Sequence, residues 1–201
     1  MKTLLALLLL VSTAHARYAV VPGWGATANL GLQSNLRLYC VRFNFRDPTL
    51  NATQVSFRVS AIGGGATGRL VAMGLYADSD GGSGPLVHVE TQSADSGAQS
   101  YHASFSTQTL TSGTPYRLCF CATPGSSAVS VLGATDFSAS NTNYTAQLQN
   151  SEAGVTIVGT SDATHNCTTT SGGGSGLFLP TQTGTLTPST VYAAPQAVFA
   201  E

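Results

Sequence analysis

Between Leu36 and Arg46 the side chains alternate: Tyr39, Val41, Phe43 and Phe45 fall on one side, and Leu38, Cys40, Arg42, Asn44 and Arg46 on the other. A period of two predicts a long, half-buried strand. Further apolar or alternating runs cover residues 55–62, 70–76, 86–91, 100–105, 116–122, 128–132, 155–159 and 196–199. Each is bounded by Gly, Pro, Asn, Asp or Ser clusters such as Gly63-Gly64-Gly65, Asp78-Ser79-Asp80-Gly81-Gly82 and Ser112-Gly113-Thr114-Pro115. Ahead of them, residues 17–35 read as an opening strand at Ala19 to Val21, then turn chemistry around the single tryptophan, Trp24. No stretch holds a 3.6-residue period over ten positions, so nothing supplies the crossover helices of a parallel sheet. The pattern predicts an all-β chain of eight or nine short strands, folded as an antiparallel two-sheet β-sandwich. Thr168 to Thr190, rich in Gly and Thr, reads as a surface excursion before a last strand.

The first sixteen residues follow a different rule. Lys2, the apolar run from Leu4 to Val11, and Ala14-His15-Ala16 have the layout of a secretory signal peptide. The run is far short of the ~20 residues that cross a bilayer, so cleavage after Ala16 and export are expected, not membrane insertion. That leaves residues 17–201 as one sandwich domain, secreted or extracellular, with the periplasm or cell surface as related destinations.

Composition narrows the partners. Lys2 is the sole lysine, so residues 17–201 carry seven arginines against nine carboxylates, a formal net of −2. Such a surface offers nucleic acid or anionic lipid no basic patch. Polarity supplied by Ser, Thr, Gly and Asn suits an extracellular β-protein, and the ordinary apolar fraction of 42% argues against disorder.

In an oxidising compartment the cysteines Cys40, Cys119, Cys121 and Cys167 pair. If Tyr116, Leu118 and Phe120 line the core, then Arg117, Cys119 and Cys121 point outward, on the same side as Cys40. Cys119 and Cys121, two apart on one strand, are too widely spaced to bridge each other. Two disulfides are expected. One joins the Cys40 strand to the strand of Cys119 and Cys121, and the other pins the C-terminal excursion through Cys167. The alternative, a thiolate metal site, lacks zinc-finger spacing.

Candidate chemistry is sparse. His88 and Glu90 share an outward face, and a hairpin centred near Asp95 sets His102 opposite His88, a set able to ligate a divalent metal; ordinary cross-strand pairing is the simpler account. Asp78 and Asp80 open like an oxygen-rich calcium loop, but Gly82 and Val89 stand where the full pattern needs ligands, and a hairpin turn explains them equally. No Gly-x-Ser-x-Gly elbow is present, and no pair among the nine acids is singled out for glycoside cleavage. A non-catalytic role is therefore expected, with no obligatory cofactor. Trp24, in a Pro/Gly loop, is the best candidate to stack on a sugar ring, with Tyr144 as an assistant. Asn51, Asn143 and Asn166 head N-glycosylation sequons, which matter only in a host that uses them.

GLYADSDGGSGPLV (residues 74–87) and LTSGTPYRLCF (residues 110–120) resemble the strand, Asp/Gly hairpin and LxxGxxYxL strand of secreted bacterial jelly-roll modules and phage tail-associated sandwiches, over about a third of the chain. The resemblance implies a jelly-roll-like sandwich and a non-catalytic role in glycan binding, adhesion or surface display. The expected function is thus a secreted module that binds carbohydrate or a cell-surface partner. The alternative is a self-associating subunit of an extracellular filament or layer, and a polysaccharide-acting hydrolase comes third.

Overall fold

In the computed structural model of the protein, the alternation around Val41 takes form as two antiparallel sheets packed face to face. The structure describes residues 17–21, 27–32, 36–45, 47–62, 69–78, 84–90, 99–123, 129–134, 158–160, 166–169, 176–183, 187–188 and 194–201. All elements among the described residues are strands: β1 (Tyr18–Val21), β2 (Thr27–Leu32), β3 (Tyr39–Asn44), β4 (Leu50–Ile62), β5 (Val71–Ala77), β6 (Val87–Glu90), β7 (Gln99–Leu110), β8 (Pro115–Ala122), β9 (Val129–Ala134), β10 (Val158–Thr160), β11 (Thr168–Thr169), β12 (Leu177–Phe178), β13 (Thr187–Pro188), β14 (Ala194–Pro195) and β15 (Ala197–Ala200).

One sheet has seven strands in the order β1-β15-β4-β9-β14, with β7 on β4 and β2 on β9; the other has six, β13-β10-β3-β8-β5-β6. The seven-stranded sheet forks. Val198 to Ala200 pair with Ser56 to Gln54 of β4, whereas Ala194 and Pro195 pair with β9, and the Gln196 N–H donates to Leu132 O at 3.3 Å. Beyond Val59, β4 turns from β15 to β9.

The inward rows meet as expected. Tyr39, Val41, Phe43 and Phe45 are buried against Val55, Phe57, Val131 and Phe199. Phe57 of one sheet meets Phe120 of the other edge-on, 5.2 Å between centroids, and Phe105 meets Phe199 at 6.3 Å. Each such ring buries enough apolar surface to stabilise the fold by ~2–3 kcal/mol.

Much of the outward row of the six-stranded sheet does not face water. Leu38, Cys40, Ala72, Tyr76, Cys119 and Cys121 form a second, smaller core beneath Cys167 and Leu177. The bridges are Cys40–Cys119, between directly opposed residues of β3 and β8, and Cys121–Cys167. Both follow the expected pattern and suit an oxidising environment. The described parts of the C-terminal excursion are therefore a strap. Its hydrogen bonds run from Leu177 N–H to Glu90 Oε1 (3.0 Å), from Cys167 N–H to Leu36 O (2.9 Å) and from Tyr76 O–H to Pro180 O (2.9 Å). Gly74 lets the strap lie this close, since a Cβ there would stand 2.6 Å from Leu179 Cδ1.

Burial pushes the Tyr76 phenol above its ordinary range. The unfolded chain then loses that proton more readily than the folded one. The stabilisation it brings is intact below tyrosine's usual ~10 and is lost as pH climbs beyond it. Urea melts across the alkaline range will show stability falling above about pH 10, and Tyr76→Phe will flatten that fall while costing about 1 kcal/mol at neutral pH.

Candidate ligand-binding face

Registers across the seven-stranded sheet set a row of side chains on its outer face. Tyr18 lies opposite Ala200 and Ala200 opposite Gln54; Val198 lies opposite Ser56, Ser56 opposite His102, and Arg58 opposite Ser100. Their strand neighbours Ala19, Val55, Phe57 and Phe199 are buried in the core, which leaves this row to the outside.

Two depressions mark the face. The larger, about 290 Å³, is lined by Arg17, Tyr18, Asp47 and Pro48 above Ala19 and Leu50. Tyr18 is 63% exposed, the most exposed large apolar side chain among the described residues. Arg17 fixes the rim, donating to Pro48 O (3.1 Å) and Thr49 O (2.9 Å) and pairing with Glu201 at 3.3 Å. The Glu201 N–H in turn donates to Arg17 O at 3.0 Å. The smaller depression, about 150 Å³, opens where the sheet forks, between Ser56, Arg58, Ser100, His102, Leu132 and Gln196. There Ser56 Oγ and His102 Nδ1 are hydrogen-bonded at 2.6 Å.

Comparison with known families, curated proteins and solved structures found no match to this chain.

The metal constellation expected from the sequence is not assembled. His88 lies opposite Gly74 and Glu90 opposite Ala72 in the six-stranded sheet, whereas His102 lies in the other sheet. The expected hairpin is instead a crossing between sheets, and residues that alternate correctly on separate strands need not be neighbours. Glu90 serves the strap through Leu177. No group of three or more His, Cys, Asp or Glu able to hold a metal occurs among the described residues.

Asp78 has another employment than calcium. Its Oδ2 accepts from Arg42 Nε at 2.6 Å and its Oδ1 from Arg117 Nε at 2.8 Å, so both oxygens are committed to guanidinium groups. Asp80, Trp24 and Tyr144 lie outside the described residues. Tyr18, Asp47, Ser56 and Arg58 escaped the sequence reading. The available signal was weak: Tyr18 is the aromatic that opens β1, and Arg58 stands between the core residues Phe57 and Val59.

Proposed function

We propose that the protein is a secreted, non-catalytic binding module that holds carbohydrate on the outer face of its seven-stranded sheet. One observation carries the reading: Tyr18 stands 63% exposed at the edge of the larger of the two depressions, with Asp47 and Arg17 beside it. An exposed aromatic face buries the apolar C–H side of a pyranose, and planar charged groups beside it hydrogen-bond pairs of hydroxyls. The kinship to secreted jelly-roll modules, suggested by residues 74–87 and 110–120, belongs to the same reading.

Tyr18→Ala tests it. Loss of the stacked ring will weaken glycan binding about tenfold. Stability will change by less than ~0.5 kcal/mol, because the side chain is mostly in water. A glycan array followed by titration calorimetry of the positives reads both. Equal binding by Tyr18→Ala, or no glycan bound by the parent protein, ends the proposal.

A second reading, self-association into a filament or layer, draws on β7. This strand of twelve residues has no Asp, Glu, Lys, Arg or proline, and among the described strands it pairs only with β4. A native mass that grows with concentration, together with a silent array, favours that reading.

A further inference from the structure

We infer that the depression at the fork of the seven-stranded sheet is a subsite for the carboxylate of a uronate residue, so that the preferred ligand is an acidic polysaccharide. The inference rests on the carbohydrate reading above and adds the chemical class of the ligand.

The lining is unusual for a chain with more acids than bases. Around an opening of about 150 Å³ stand the Arg58 guanidinium, the His102 imidazole, the Ser56 and Ser100 hydroxyls and the Gln196 amide, with no carboxylate among them. The Arg58 side chain is exposed and makes no ion pair or hydrogen bond with the described residues, whereas Arg17, Arg42 and Arg117 are each paired with a carboxylate. A planar guanidinium with its donors available matches a carboxylate in two parallel hydrogen bonds. In the tautomer where the Ser56 hydroxyl donates to His102 Nδ1, the ring proton sits on Nε2 and adds another donor. Leu132 and Val198 supply apolar surface for the carbons behind the carboxylate. All of these groups stand on paired strands except Gln196, which joins β14 to β15 and is tied by its N–H to Leu132 O, so their spacing is set before a ligand arrives.

The position relative to Tyr18 fits a single chain of sugars. Tyr18 aligns with Gln54 through Ala200, two strand spacings away, and Arg58 lies four residues further along β4. At ~4.8 Å per strand and ~3.3 Å per residue the two points are about 16 Å apart on one face, a span that a short oligosaccharide covers. The ring at Tyr18 then holds one sugar by stacking, and the fork selects an acidic unit further along.

The test compares a short oligogalacturonate with its methyl ester, the same backbone without charge, by titration calorimetry on the mature protein. The acid form will bind at least about tenfold tighter, and the advantage will shrink with added salt. Arg58→Ala will abolish the preference without altering the urea midpoint, Arg58→Lys will keep part of it, and Tyr18→Ala will weaken both forms together. Equal affinity for acid and ester, or a preference untouched in Arg58→Ala, overturns the inference and leaves the carbohydrate reading standing. If neither oligosaccharide binds, proton NMR of the His102 ring decides with galacturonate and glucuronate as probes. A saturable shift absent in Arg58→Ala supports the anion subsite while the carbohydrate reading falls, and no shift with either sugar acid overturns it.

Discussion

Replacing Cys121 and Cys167 together with alanine will cost about 4 kcal/mol of unfolding free energy, the chain-entropy value for a bridge that closes a span of 46 residues. Most of that loss arises in the unfolded ensemble, because in the native state the strap has other ties. Cys167 N–H still donates to Leu36 O, Leu177 N–H to Glu90 and Tyr76 to Pro180. The urea midpoint will fall and the slope of the transition will rise, because the unfolded chain without the bridge is less compact, and hydrogen exchange on β5 and β8 will accelerate in proportion to the global loss. The matching pair Cys40→Ala and Cys119→Ala spans 79 residues and will cost slightly more. A loss below 1 kcal/mol for either pair, measured under non-reducing conditions, would show that the bridges are not what holds the strap and the sheet in place.

Asp78→Ala will cost about 3–5 kcal/mol, the range for removing one member of a buried ionic set. Arg42 and Arg117 are directly opposed on β3 and β8, two cations at one cross-strand position. Asp78 lies between them with its side chain 11% exposed, and those of Arg42 and Arg117 are 21% and 11% exposed. Without the carboxylate, the two guanidinium groups repel one another where water screens them poorly, while Arg117 keeps its bond to the Thr183 hydroxyl. Asp78→Asn, which retains the shape but not the charge, will lose nearly as much. Adding Arg42→Gln to Asp78→Asn will recover part of the loss. Urea unfolding of the parent, Asp78→Asn, Arg42→Gln and the double variant closes the cycle, and a cost for Asp78→Ala within 1 kcal/mol of zero contradicts it.

What the sequence disclosed follows from how local each signal is. Burial alternates residue by residue along a strand, so the runs at residues 70–76 and 116–122 emerged as β5 and β8 with small changes at their ends, and the run at 55–62 as the C-terminal part of β4, which begins at Leu50. The same alternation separated Cys40, Cys119 and Cys121 from the main core. It could not reveal that a distant strap covers their side of the sheet, because the cover is supplied by Cys167 and Leu177. Pairing is not local, and there the reading failed. Residues 88 and 102 flank a short turn-rich segment that looks like a hairpin, yet the two strands join different sheets. β2 was missed because TANLGL has only two core leucines, with a glycine between them. The candidate face was equally hidden, since Tyr18, Ser56, Arg58, Ser100 and Gln196 come from four separate stretches that meet only after the sheet has formed.

The placement of β15 between β1 and β4 sets an order of events for a chain delivered from its amino end. Tyr18 reaches the exit first, but its ladder partner is Ala200. β4 likewise waits along one edge for Val198 to Ala200. The six-stranded sheet can assemble β3, β8, β5 and β6 well before that point, while its sister stays ajar and Phe199 has yet to fill its place. Maturation of the seven-stranded layer is thus a closing step, coupled to arrival of β15, and any early halt in synthesis yields a half-built sandwich for quality-control proteases to remove.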